Sequence, residues 1–273
     1  MENNSPLITL SELLSSKENP ILIDAGSGQP TFTRYQQKHI KGALYVDLNN
    51  DLAAVPDDAA HGGRHPLPSI NDFAKLLGNL GITPESHVIV YDDKQGSNAA
   101  ARFWWMLRAV GHAKVQVLNG GLQAAEAARI ELSPGIEISK PIIAYPVTNW
   151  QLPMADINEV RNATKNGTSC IIDVRDTDRY LGLTEPLDPV AGHIPSAINI
   201  PFKDNMDGDG LFLSPEKLRE KYKSVFEDHT TENSIVHCGS GVTACHTLLA
   251  IAAAGLPLPK LYVGSWSEWC RNQ

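Results

Sequence analysis

No apolar run in this 273-residue chain is long enough to span a bilayer. The longest uncharged apolar segment, near residues 247–259, is broken by Gly255, Pro257 and Pro259, whereas a membrane helix needs about 20 apolar residues. The opening stretch MENNSPLITLSELLSSKENP lacks a basic segment followed by a long apolar one, so no secretory signal is expected. Cysteine is scarce. Cys170, Cys238, Cys245 and Cys270 include no C-x-x-C pair, which argues against a disulfide framework and for a reducing cytoplasm. Positive charge is also short. A formal net charge of −8 argues against nucleic-acid binding, and any anionic substrate must be drawn in by a local field. What remains is a soluble, globular composition in a chain long enough for two domains.

Those two domains read as copies of one plan. The first half runs PILIDAG, HIKGALYVDL, HVIVYDDKQGSNAAARFWWMLRAVGH, VQVLNGGLQAA. The second runs CIIDVRD, GHIPSAINIPF, SIVHCGSGVTACHTLLAIAAAG, LYVGSWSEW. Asp24 corresponds to Asp173, His39 to His193, Asp92 to Cys238, and Gly121 to Gly264 or Ser265, at offsets of about 143 to 154 residues. Short β-branched runs at Ile21–Asp24, His87–Tyr91, Val115–Leu118, Cys170–Val174 and Ser234–His237 predict buried strands. Stripes at Ala100, Phe103, Leu107, Val110 and at Val242, Cys245, Leu249, Ala252 predict helices between them. The expected fold is α/β: two tandem domains, each a mostly parallel sheet with helices on both faces. The expected boundaries are 1–133 for the first domain, 134–153 for a proline-rich linker and 154–273 for the second.

The stretch IVHCGSGVTACHTLLA concentrates the chemistry. In an α/β sheet, sites form beyond the carboxyl ends of the strands, and Cys238 ends one. A helix is expected from about Thr243, with unpaired N–H groups in its first turn. Gly239 and Gly241 let the turn curl, so that amides at the positive end of a helix dipole face the sulfur. Ser240 and Thr243 add hydroxyls. Such an environment favours a sulfur anion, hence a nucleophile. The competing reading is a small buried core cysteine. Against it, the glycine-serine-glycine run removes side chains that would cover the sulfur. The first copy also keeps the plan but carries Asp92 at this place. Cys245 falls on the apolar stripe of the helix and is expected in the core; Cys170 and Cys270 carry no assigned chemistry. A cysteine phosphatase would need arginine six residues after the nucleophile, where Ala244 stands. Cys238, Cys245 and His246 match no closed metal-site spacing.

CGSGVTACH, with GHIPSAINIP, DVRDTDRYLG, WWMLRAVGH and GSWSEW, closely resembles the tandem-domain rhodanese family, which includes thiosulfate and 3-mercaptopyruvate sulfurtransferases. The resemblance covers nearly the whole chain. It implies an inactive first domain and a catalytic second one. It also implies that Cys238 takes a sulfane sulfur from a small anionic donor and passes it from a persulfide to cyanide or to a thiol, such as that of a thioredoxin-like protein. No cofactor or metal is implied, and neither a nucleic acid nor a membrane is an expected partner. A protein loaded with sulfur by a partner is the non-enzymatic alternative.

Within the family, arginine and lysine directly after the cysteine resemble thiosulfate enzymes, and Gly-Ser-Gly resembles mercaptopyruvate enzymes. Gly239, Ser240 and Gly241 fit the second pattern, with Ser240 assisting catalysis and Gly239, Gly241, Val242 and Thr243 lining the substrate. Arg179 matches the family's substrate-binding arginine; the alternative is an exposed loop arginine in a salt bridge. A second arginine, usual in an EPR-like stretch, is replaced here by Leu187 and Asp188. In HGGRHPLP, His65 matches a histidine near the substrate and Arg64 is a candidate for the missing cation, the alternative for both being that they pin the loop; the resemblance puts this loop in the first domain, against an interdomain cleft. The family's catalytic aspartate falls on Asn49, with Asp47 and Asp51 nearby. Asp173, Arg175, His193 and His237 read as structural. Trp104, Trp105, Trp266 and Trp269 read as core or domain-interface anchors.

Overall fold

The computed structural model describes residues 5–167, 169–227 and 229–273. The chain divides into two compact units. One holds the residues through Ala54 together with Leu67–Leu152; the other holds Val55–Pro66 and Pro153–Gln273. The strap 55–66, which carries HGGRH, therefore packs with the second unit.

The strands of the first unit's main sheet are Leu7–Ile8, Ile21–Gly26, Leu44–Asp47, Val88–Tyr91 and Val115–Leu118. Across the sheet they lie, in chain order, first, fifth, fourth, second, third, and every pair is parallel. The second unit uses Met154–Ala155, Ile171–Asp173, Ile198–Asn199, Ile235–His237 and Lys260–Tyr262. Their order and direction are the same. The spaced landmarks thus mark a duplication of topology. Val88–Tyr91 and Ile235–His237 are buried at every residue, as strands covered on both faces must be.

Each of these two strands feeds a helix, Ala99–Ala109 or Thr243–Ala253. The predicted stripes understate their burial: in Ala99–Ala109 every residue but Arg108 is buried, and in Thr243–Ala253 so are Ala244–Ile251. Trp104, Trp105, Trp266 and Trp269 are buried too. Segment 134–152 runs along the first unit. Gly135 N donates to Gln36 O, Ile142 N to Gly78 O and Tyr145 N to Ala74 O, at 2.8–3.0 Å. Gly78 is needed there, because a Cβ would sit 2.9 Å from Ala144 Cα. No helix among the described residues is long and apolar enough to cross a membrane.

The histidines kept in both copies serve the fold. His39 Nδ1 lies 2.9 Å from Tyr35 O and its ring stacks on Tyr35 at 4.3 Å. His193 Nδ1 lies 2.8 Å from Tyr180 O and stacks on Tyr180 at 4.0 Å.

His246 is a different case. Buried between Phe202 and Phe212, it has no hydrogen-bond partner for either ring nitrogen among the described residues. Burial, then the nearby Lys221 charge, pushes it down from 6.5 to about 3. The unfolded chain takes up this proton below pH 6.5 while the folded chain refuses it until about pH 3. Stability is therefore lost as pH falls across that window, at about 1.4 kcal/mol per pH unit. His246→Leu removes the loss. Urea unfolding of variant and wild type should show their stability difference shift by about 2 kcal/mol in the variant's favour between pH 7 and pH 5.

Candidate active site

Cys238 follows strand Ile235–His237, and the helix begins at Thr243 with Val242 as its cap residue. The loop's carbonyls are spent outward. Cys238 O accepts from Trp266 N at 3.0 Å, and Gly239 O from Ser267 N at 2.9 Å. Gly241 O accepts from Cys245 Sγ at 3.3 Å, and Val242 O from Cys245 N at 3.0 Å. Gly241 has φ +75°, and a Cβ there would lie 2.5 Å from Val263 O. Only glycine meets both conditions.

The matching loop of the first copy displays what such a curl does. Asp92 is buried, and its two carboxylate oxygens accept from Lys94 N, Gly96 N, Asn98 N and Ala100 N at 2.7–3.1 Å. Burial pushes this carboxyl above its ordinary value against the pull of the four amides. The remaining contacts correspond as well: Leu122 N donates to Asp92 O as Trp266 N does to Cys238 O. The preceding residues, Gly121 and Ser265, have φ +59° and +54°. Ser265, rather than Gly264, is therefore the counterpart of Gly121. This serine holds a glycine-like backbone while its Oγ accepts from Cys238 N at 3.2 Å and donates to Tyr262 O at 2.8 Å.

Other predicted residues meet at this loop. His65 Nδ1 and Ser240 Oγ share a hydrogen bond of 2.8 Å. Above Gly239 two guanidinium groups converge: the position of a Cβ lies 3.2 Å from Arg64 Nη2 and 3.4 Å from both Arg179 Nη1 and Nη2. Thr243 is half-buried in the first turn of the helix. The sequence predicts that the glycine-rich run leaves the sulfur open; in the fold it does not. Cys238 is 1% exposed, and Gly239, Ser240, Gly241 and Val242 are buried.

Two buried carboxylates hold the arginines. Glu185 Oε1 accepts from Arg179 Nη2 at 2.6 Å, and Oε2 from Arg175 Nη1 at 3.2 Å. Asp188 Oδ2 pairs with Arg64 Nη1, and Oδ1 accepts from Arg271 Nη1 at 2.8 Å. Glu185, Asp188, Ser265 and Arg271 escape sequence reasoning. Two left a signal: Ser265 by its correspondence with Gly121, and Asp188 as the replacement of an arginine. Arg179 also lines a cleft of about 470 Å³ with Asp176, Asp178, Thr184, Glu185 and Pro186.

The residues read as structural make the following contacts. Asp173 and Arg175 form a bidentate pair, and Arg175 Nη2 also donates to Gly192 O at 2.7 Å. His237 is buried, with Nδ1 3.1 Å from Cys238 O. Cys245 is fully buried in the core. Asp47 is engaged within its own loop, accepting from Gly28 N, Asn49 N and Asn50 N, and Asp51 accepts from Asp47 N.

Comparison with known proteins places this geometry. The rhodanese-like domain model matches twice, over residues 9–128 and 156–272. A probable 3-mercaptopyruvate sulfurtransferase of Pseudomonas aeruginosa is 41% identical over 236 residues, covering 86% of this chain and 82% of that protein. A mouse thiosulfate sulfurtransferase is 36% identical over 247 residues, covering 87% and 79%. The structure of 3-mercaptopyruvate sulfurtransferase from Leishmania major superposes with a TM-score of 0.84 at 30% identity, covering 98% of this chain and 75% of that one. With two matched domains, and relatives this similar over most of its length, the chain belongs to the tandem-domain rhodanese family of sulfurtransferases.

Proposed function

We propose that this sulfurtransferase takes its sulfur from 3-mercaptopyruvate, with Cys238 as nucleophile and Ser240 and His65 as the proton path. The Cys238 thiolate attacks the donor sulfur, and the S–S bond forms as the donor's carbon–sulfur bond breaks. The released electron pair passes to carbon as the enolate of pyruvate, which needs a proton. Ser240 Oγ supplies it and is recharged through His65 Nδ1. The products are pyruvate and a Cys238 persulfide. A thiol or cyanide then attacks the outer sulfur and returns the cysteine. The second domain is the catalytic one, since the first has Asp92 where the nucleophile would stand.

The observation that carries this donor is the 2.8 Å Ser240–His65 hydrogen bond two residues from the nucleophile. Thiosulfate leaves sulfite, a stable dianion that requires no proton; mercaptopyruvate leaves a carbanion equivalent that does. Ser240→Ala and His65→Gln are therefore expected to lower kcat/KM for mercaptopyruvate by about 100-fold, the scale of general acid catalysis, with little change for thiosulfate. Equal losses on both donors would remove the proton role. Thiosulfate is the second reading, favoured by the two guanidiniums over Gly239. A preference of wild type for thiosulfate by more than about tenfold, or 1.4 kcal/mol, would replace the first reading with it. Four free thiols suit a reducing cytoplasm, where a thioredoxin-like dithiol is a fitting acceptor.

A further inference from the structure

We infer that Asp188 makes Arg64 the second arm of a clamp that grips the donor's anionic group; the inference rests on the sulfur-donor reading above. Arg64 and Arg179 come from distant parts of the chain yet meet over the same glycine. Each presents one edge to a buried carboxylate and another to the loop. Arg64 Nη1 pairs with Asp188 while Nη2 faces Gly239, and Arg179 turns Nε and Nη2 to Glu185 while Nη1 faces Gly239. Their side chains are 23% and 18% exposed, whereas Asp188 and Glu185 are 0% and 3% exposed. The carboxylates are thus sealed behind, and the free edges of the guanidiniums point to where a donor must approach Cys238. Two forks side by side suit a planar carboxylate.

A simpler role for Arg64 would be to pin the strap. The strap is already pinned by other groups. Gly62 N donates to Glu268 Oε1 at 2.8 Å, Arg64 N to Ser267 Oγ at 3.1 Å, and Asn272 Nδ2 to Ala60 O at 2.8 Å. Gly63 packs so closely on Gly264 O that a Cβ would collide. None of these contacts uses the guanidinium. Asp188 has a second partner, Arg271, which itself donates to Ser267 O at 2.7 Å. That pairing fixes the carboxylate from the far side. Asp188 is therefore a positioning residue, acting on the donor through Arg64.

The test compares 3-mercaptopyruvate with mercaptoacetone, which has the same thiol and ketone but a methyl in place of the carboxylate. Arg64→Ala should raise KM for mercaptopyruvate about 10–100-fold, the scale of a charged hydrogen bond, with kcat nearly unchanged. It should raise KM for mercaptoacetone far less, because that donor offers no carboxylate to the fork. Arg64→Lys should fall between, since it keeps the charge and loses the fork. Asp188→Asn should raise KM for mercaptopyruvate in the wild-type background and add much less in the Arg64→Ala background, where only its longer 3.8 Å pairing with Arg179 Nη2 is left to lose. Equal losses on both donors, no loss, or an additive effect of Asp188→Asn would overturn the clamp. If Asp188→Asn does not fold, the Arg64 variants decide alone. If wild type uses thiosulfate and not mercaptopyruvate, the donor reading fails by itself. Arg64→Ala then raises KM for thiosulfate if the clamp is real and leaves it unchanged if it is not.

Discussion

Asp92→Ala should destabilise the first unit by about 3–5 kcal/mol, the cost of leaving four buried amides without their acceptor, and lower its melting temperature by about 10 °C. The loss comes from the donors left behind. Lys94, Gly96, Asn98 and Ala100 all aim their N–H groups at this one carboxylate. Each unsatisfied buried amide costs about 1–3 kcal/mol, less whatever water recovers. Asp92→Asn should cost less, because it keeps one oxygen acceptor. Calorimetry on the full chain measures both, with far-UV circular dichroism confirming that the variants fold. A loss below about 1 kcal/mol for Asp92→Ala would mean that the amides do not depend on this carboxyl. The corresponding curl at Cys238 would then not be a device for holding a polar group either.

Cys238→Ser should abolish sulfur transfer, by about a thousandfold or more for loss of a covalent nucleophile. The alcohol is too weakly acidic to attack a donor sulfur at neutral pH. Cys170→Ala and Cys270→Ala should leave the rate within a fewfold of wild type, because these buried thiols lie outside the loop. Burial pushes both upward, away from the reactive thiolate. Thiocyanate formation from cyanide gives the rate with either donor. Comparable activity in Cys238→Ser would move the chemistry to another residue.

Much of this was legible in the chain. Strands such as Val115–Leu118 show because parallel strands covered on both faces read as continuous β-branched runs. The start of the helix at Thr243 shows because glycine ends what precedes it. The duplication shows because Asp24, His39 and Asp92 recur in Asp173, His193 and Cys238, and those positions bear on backbone geometry common to both copies. The strap was only half legible. His65 and Arg64 could be named, but their place in the second unit depends on Gly63 against Gly264 and on Glu268, contacts some 200 residues apart in sequence. Asp188 read as the loss of an arginine. In the fold it is what turns another arginine toward the loop, a relation that no local pattern carries. The burial of Cys238 was likewise out of reach: glycines open the loop locally, while Arg64 and Arg179 close over Gly239 from elsewhere.

The most direct measurement mixes the protein with 3-mercaptopyruvate in the absence of any acceptor, followed by intact-mass and peptide mass spectrometry. The expected result is a gain of one sulfur atom per chain, located on Cys238 and removed by cyanide, with one pyruvate released for each sulfur bound. A protein that releases pyruvate without gaining sulfur, or that carries the added sulfur on Cys170, Cys245 or Cys270, would contradict it.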